Sequence, residues 1–380
     1  MLPLFYQAHL QQCLSPRHYL LVNLLVLLLQ WHKQVRLERL ATTLPLPIQF
    51  EGRRRCLQRL FSSPQLHIDT LWLPLVGYLL SCQFRVGQTL YLVLDRTQWQ
   101  GVNVLMASVI YRGRALPLYW QFLSHSGSSG LAQQQAVLRP LLALLKPYQV
   151  VVLGDREFCS VHLAQWLGQE QLSFCLRLRC NEYVQDETGL VEQLQHLGLK
   201  PGQSRFFEQV RVTKQGGLGL FNVACYWKRA YRGHCEKSAW FLLTNLPSLG
   251  AAVTAYQHRM GIEAFFRDYK SGGYQVESTP LNHQRLSGLF VLLALAYTSA
   301  VIQGHEVRTQ GLASYICRAK EGRRMRRRHS DFWIGLYAQA WLEGMDLATD
   351  WVESWMQLSG NKQSYLQRGL DAASRLQSLF

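Results

Sequence analysis

Two short apolar runs constrain this chain more than any other feature: LYLVLDRTQW at residues 90–99 and VVVLGDREF at residues 150–158. Each is rich in Leu and Val and then delivers an aspartate, Asp95 or Asp155. Apolar runs this short read as strands buried on both faces, which predicts a sheet covered by helices. An aspartate carried at or near the end of such a strand is held by the sheet. Two of them lack only a third carboxylate to become a site for hard divalent cations, because Mg²⁺ prefers carboxylate and water oxygens in near-octahedral geometry.

The third carboxylate lies in AYQHRMGIEAFFRDYKSGG, residues 255–273. Here Tyr256, Arg259, Glu263 and Lys270 follow one another at offsets of three, four and seven. On a single helix those four side chains fall within an arc of about 60°. A phenol, a guanidinium, a carboxylate and an ammonium on one stripe make a poor core face and a suitable grip for phosphates. With Asp95 and Asp155, Glu263 completes a set able to hold two metal ions, which activate a water or hydroxyl on one side of a phosphorus and stabilise the leaving oxygen on the other.

These residues carry a resemblance. In type and spacing, Tyr256, Arg259, Glu263 and Lys270 match the Y-x2-R-x3-E-x6-K signature of DDE transposases of bacterial insertion sequences (insertion sequence four family). LDRT around Asp95 and GDREF around Asp155 resemble the surroundings of that family's two catalytic aspartates. The resemblance covers roughly residues 85–300. It implies a ribonuclease H-like mixed sheet with Asp95 and Asp155 on neighbouring strands, an α/β catalytic domain at 85–300. It further implies two Mg²⁺ ions, for which Mn²⁺ substitutes, held by Asp95, Asp155 and Glu263. Arg259 and Lys270 become phosphate clamps and Tyr256 a hydroxyl donor to phosphate. The implied reaction is nicking at element ends followed by strand transfer, by a homodimer on paired ends, with terminal inverted repeats and target DNA as double-stranded partners. A nuclease that only hydrolyses and a silent DNA-binding derivative are the rival readings.

Charge agrees with a polyanionic partner. Forty Lys and Arg against twenty-four Asp and Glu give a formal charge of +16, which favours phosphate backbones through counterion release. Residues 1–84 read as helical and, by the resemblance, as the end-binding module. Its Arg53, Arg54, Arg55 and Arg59 are either phosphate contacts or a solvated helix face. Between Asp155 and Glu263, residues 172–248 read as a β-rich insertion. Its Trp227 and Trp240 either stack on an unpaired base or pack the insertion's own core, the second being the plainer reading. LSGLFVLLALAYTSAVIQ reads as a buried helix backing the catalytic sheet. The helical region 301–380 opens with the densest positive run, Arg323, Arg324, Arg326, Arg327 and Arg328, read as a contact to DNA phosphates.

Nine scattered cysteines with no C-x2-C pair argue against a zinc ribbon and for reduced thiols in a cytoplasm, which the resemblance implies is bacterial. The apolar run YLLVNLLVLLLQW at 19–31 is too short to span a bilayer and reads as a buried helix, so no membrane partner is expected.

Overall fold

The computed structural model describes residues 2–185, 189–212, 220–229, 236–279, 282–318 and 328–380. They form two compact units, one of Val76–Arg267 and one joining Met1–Leu75 to Asp268–Phe380. The segments expected at 1–84 and 301–380 thus fall largely into one helical unit. The eight cysteines within the described residues are free.

The helical unit begins with α1 (Leu4–Cys13), α2 (Pro16–His32), α3 (Leu37–Thr43) and α4 (Phe50–Phe61), and α5 (Leu73–Gln83) then leads out of it. The apolar run at 19–31 lies within α2. Ser15 caps that helix by accepting from the His18 N–H, and Pro16 stands at its first position, where a missing N–H costs nothing. In α4, Arg53 donates to the carbonyls of Ala41 and Ile48, and Arg54 pairs with Glu38 and Glu51. Two of the four arginines there are therefore engaged within the protein, while Arg55 and Arg59 are exposed.

The second unit is built on β1 (Thr89–Trp99), β2 (Val102–Tyr111), β3 (Arg114–Leu123), β4 (Gln149–Gly154), β5 (Ser173–Arg177), β6 (Tyr183–Gln185), β7 (Val191–Gln193), β8 (Ser204–Val212), β9 (Phe221–Tyr226) and β10 (Trp240–Thr244). Helices α6 (Leu131–Leu138) and α7 (Leu142–Leu145) precede β4, α8 (Val161–Gln169) follows it, and α9 (Leu249–Gln257) follows β10. Arg112 and Gly113, both at positive φ, make the two-residue turn between β2 and β3 that right-handed strand twist favours. The sheet order is β3-β2-β1-β4-β5-β10-β9-β8-β6-β7. β1, β4 and β5 are mutually parallel neighbours, as expected when helices return the chain. β10 pairs antiparallel with β5, so the strands of the β-rich insertion continue the sheet.

The chain returns to the helical unit through α10 (Met260–Tyr269), followed by α11 (His283–Thr309), α12 (Ala313–Ile316), α13 (Asp331–Leu347), α14 (Thr349–Leu358) and α15 (Gln363–Gln377). α11 is long and apolar enough to cross a membrane, yet 94% of its apolar window is buried inside the protein. Within its own unit its cover comes from α2, α4 and α13. The crossing with α13 is close because two glycines permit it. A Cβ at Gly304 would overlap the carbonyl oxygen of Asp331, and one at Gly335 would overlap that of Ala300. The obstructing atoms are backbone and cannot rotate aside. Gly304→Val is therefore expected to lower stability by about 3 kcal/mol, the upper range for overpacking. Gly250→Ala in α9, where a Cβ meets no described atom within 4 Å, is the control, with thermal midpoints as the readout.

Candidate active site

The parallel pairing of β1 with β4 ends at Leu94 opposite Gly154. The next residues of the two strands are Asp95 and Asp155, so the topology alone brings them side by side. Asp95 does not end its strand, because β1 continues to Trp99 against β2, with Asp95 opposite Met106. It stands instead where β4 leaves the sheet and opens a notch. There Asp155 caps a short 3-10 turn, its Oδ1 accepting from the Glu157 N–H at 2.8 Å. Asp95 Oδ1 likewise accepts from the Arg96 N–H at 2.8 Å. Each aspartate thus has one oxygen fixed by backbone.

The signature stretch is not one helix, which corrects the single-stripe expectation. α9 stops at Gln257 and α10 starts at Met260. Between them the N–H groups of His258, Arg259, Gly261 and Ile262 bond carbonyls three residues back, a tighter winding than an α-helix. Gly261 allows the approach, since a Cβ there would come 2.8 Å from Ile110 Cδ1. The break turns Arg259 into the notch. Its Nη1 donates to Asp95 Oδ2 at 2.9 Å and its Nη2 to Glu263 Oε1 at 2.5 Å. Its side chain is only 12% exposed, against 47% for Glu263.

The Asp95 carboxyl is raised to about 6: burial pushes it up most, Arg259 and the Arg96 N–H pull it down, and the like charges of Asp155 and Glu263 push it up. Asp95, Asp155 and Glu263 therefore share one electrostatic neighbourhood. Among the described residues, no three His, Cys, Asp or Glu side chains converge closely enough to hold a metal ion, and the Arg259 guanidinium stands between Asp95 and Glu263. The donor chemistry nonetheless suits hard divalent cations: three carboxylates, one of them buried beside two like charges and already drawing a cation.

The remaining signature residues are placed differently. Tyr256 is 4% exposed, with its ring edge-on to Trp240 at 5.0 Å and Arg177 beside it. Its hydroxyl is buried, so in this arrangement it faces protein and not a phosphate. Lys270 lies just past the end of α10 and pairs with Glu277 at 2.9 Å. Trp240 also packs on Tyr226, and the Trp227 indole N–H donates to the Glu236 carbonyl at 2.9 Å; both engage their own unit. Arg328 is exposed, whereas Arg323, Arg324, Arg326 and Arg327 lie outside the described residues.

Glu157 is the member that motif reading passed over. It accepts from Arg96 Nε at 2.9 and 3.0 Å and from both the N–H and the hydroxyl of Ser129 at 2.9 Å. Arg96 in turn donates to Asn103 Oδ1 at 3.0 Å. The residue after Asp95 is thereby tied to the residue two after Asp155, a half-buried ion pair that fixes the two aspartates' backbones together. The signal was present as the Arg of LDRT and the Glu of GDREF. Glu157→Gln keeps one acceptor and discards the charge, so a loss of about 2 kcal/mol is expected. Activity should fall while DNA affinity holds, as read by denaturation, cleavage and binding assays on one preparation.

A family model described as the transposase DDE domain matches residues 97–299, more than half of the 380 residues. The chain belongs to the transposase DDE domain family. This transposase thus functions in DNA transposition. The match begins two residues beyond Asp95 and includes Asp155, Arg259 and Glu263. A cryo-EM structure of the piggyBac transposase synaptic complex with hairpin DNA is similar at a TM-score of 0.47 and 14% identity, covering 85% of this chain and 71% of that one. No curated protein matches the chain.

Proposed function

We propose that this transposase nicks DNA at the ends of its element and joins the freed 3′ ends to target DNA, in cut-and-paste fashion. The observation that carries the proposal is the meeting of Asp95 and Asp155 at the end of the β1–β4 ladder, with Arg259 linking Asp95 to Glu263. The order β3-β2-β1-β4-β5 supports a ribonuclease H-like reading of that part of the sheet, and the Tyr256, Arg259, Glu263, Lys270 spacing supports the insertion sequence four assignment. Asp95, Asp155 and Glu263 would hold two Mg²⁺ or Mn²⁺ ions. The chemistry supplied there is activation of a water or 3′-hydroxyl and stabilisation of the departing 3′-oxygen. Asp95 and Asp155 each have one oxygen pinned by backbone, and Asp95 Oδ2 would become available to an ion once Arg259 releases it. Arg259 neutralises the carboxylates until they are otherwise engaged and then serves a phosphate, as a planar guanidinium does well. Lys270 and the arginines at 323, 324 and 326–328 grip backbone phosphates. The substrate is double-stranded DNA bearing terminal inverted repeats, and the working form is a homodimer in a bacterial cytoplasm.

The test is incubation with Mg²⁺ and a labelled end of the element, with unlabelled target present. Nicks at the element boundary followed by joined product are expected. Nicks without any joined product would point to a hydrolytic nuclease. Retained DNA binding with neither product would overturn the enzymatic reading.

A further inference from the structure

Arg259 reaches Asp95 from the break between α9 and α10, and that break touches the strand of Asp95 a second time. The His258 ring stacks on the Tyr91 ring, with centroids 4.0 Å apart and planes 14° from parallel. Tyr91 lies on β1, four residues before Asp95, so the two side chains share one face of the strand, about 13 Å apart. Across the β1–β2 ladder, Tyr91 and Ile110 stand one step beyond the Leu92–Val109 pair. The break therefore rests on two neighbouring strand residues, His258 on Tyr91 and Gly261 against Ile110. Arg259 stands between these anchors and reaches along the face to Asp95 Oδ2.

Backbone bonding alone holds such a break weakly. The bonds from the N–H groups of His258, Arg259, Gly261 and Ile262 to carbonyls three residues back have poorer geometry than those of an α-helix. Side chains must supply the rest. Gly261 permits a close approach but has no side chain with which to grip, whereas the stacked ring directly precedes Arg259. Tyr91 is half-buried and borders an open cleft of about 710 Å³, together with Thr254 and Ala255 of α9. Truncating either ring thus leaves the turn room to shift. A group displaced by about 1 Å from its working position can cost on the order of 10²-fold in rate.

We propose that His258 and Tyr91 are positioning residues: their stack sets the turn that aims Arg259 into the notch, so that β1 carries both the Asp95 carboxylate and the anchor of the arginine that meets it. The effect on rate rests on the proposed nicking reaction, while the placement of Arg259 is measurable without DNA or metal. Burial holds the His258 pKa below its ordinary value, so the ring is neutral at neutral pH and a phenyl ring reproduces its flat face. Leucine fills similar space without an aromatic face to stack.

In nicking of a labelled element end by the full-length protein, His258→Ala and Tyr91→Ala are each expected to lower the rate at saturating DNA by about 10–10²-fold, with DNA affinity changing far less than the rate. His258→Phe and Tyr91→Phe are expected to recover most of that rate, and His258→Leu little of it. Added to Arg259→Gln, His258→Ala is expected to lower the rate no further, because residues that act through one group are not additive. Without DNA and in chelator, Arg259→Gln strands the buried Asp95 carboxylate and lowers the thermal midpoint. That drop is expected to be smaller when His258→Ala is already present. Should His258→Ala unfold, His258→Leu takes its place in each comparison. Full nicking by His258→Ala, equal recovery by Leu and Phe, or additive losses with Arg259→Gln would each overturn the positioning role. A wild type that never nicks would sink the reaction instead, and the midpoint comparison would then decide the positioning role by itself.

Discussion

Asp155→Asn is expected to reduce nicking by at least about 10²–10³-fold, the scale seen when one group stabilising transition-state charge is removed, while leaving DNA affinity within about two-fold, because Asp155 contributes no positive charge to the phosphate grip. The substitution keeps the shape of the side chain and the acceptor that caps the following turn, where Asp155 Oδ1 receives the Glu157 N–H. What it removes is the charge that, with Asp95, draws a divalent cation to the end of the β1–β4 ladder. The loss is expected at the chemical step and at metal affinity together, so raising Mn²⁺ should recover part of the rate. Glu263→Gln is expected to behave alike. Arg259→Gln is expected to differ: it frees both carboxylates from the guanidinium, so Mn²⁺ affinity should hold or rise while turnover falls for want of a phosphate partner. Full activity of Asp155→Asn with Mg²⁺ would sink the site assignment.

The aspartates were legible because their signal is local. A buried parallel strand must be short and apolar, and LYLVLD and VVVLGD are both. Their adjacency was not local; it follows from β1 and β4 pairing in parallel at Leu94 and Gly154. The signature stretch was legible in residue type and misread in shape. A period of 3.6 treats residues 255–270 as one helix, whereas the tight turn at His258 and Arg259 depends on Gly261 meeting Ile110 of β2, a contact no helical wheel contains. That turn delivers Arg259 to Asp95. The buried state of Tyr256 depends likewise on Trp240, sixteen positions earlier in the chain and brought in by β10. α11 was legible as buried because its composition leaves little choice, but what buries it was not. Two glycines and the facing carbonyls of Asp331 and Ala300 decide that, and composition does not carry them. Glu157 stayed hidden because its partner Arg96 is 61 residues away in sequence.

Asp95→Asn is expected to stabilise the metal-free protein at neutral pH, the opposite of what a catalytic substitution does to activity. The Asp95 carboxyl is pushed from an ordinary value of 3.8 to about 6, mainly by burial. In the unfolded chain it ionises near 3.8; in the folded chain it holds its proton until about 6. Between those values the folded state binds more protons than the unfolded one, so stability falls as pH rises through that window. Above pH 6 the folded protein carries an ionised carboxylate that burial and the neighbouring Asp155 and Glu263 disfavour, even with Arg259 against it. The gap from 3.8 to about 6 corresponds to about 3 kcal/mol. Asn has the shape of the protonated acid and cannot ionise, so with chelator present the variant should be the more stable by about that amount at pH 8, converging with wild type near pH 4. Mg²⁺ should erase the difference at pH 8 by raising the wild-type midpoint, since a ligand that binds only the folded state stabilises it. Parallel pH profiles of the two proteins in chelator would show that the notch around Asp95 is wetter than its burial implies.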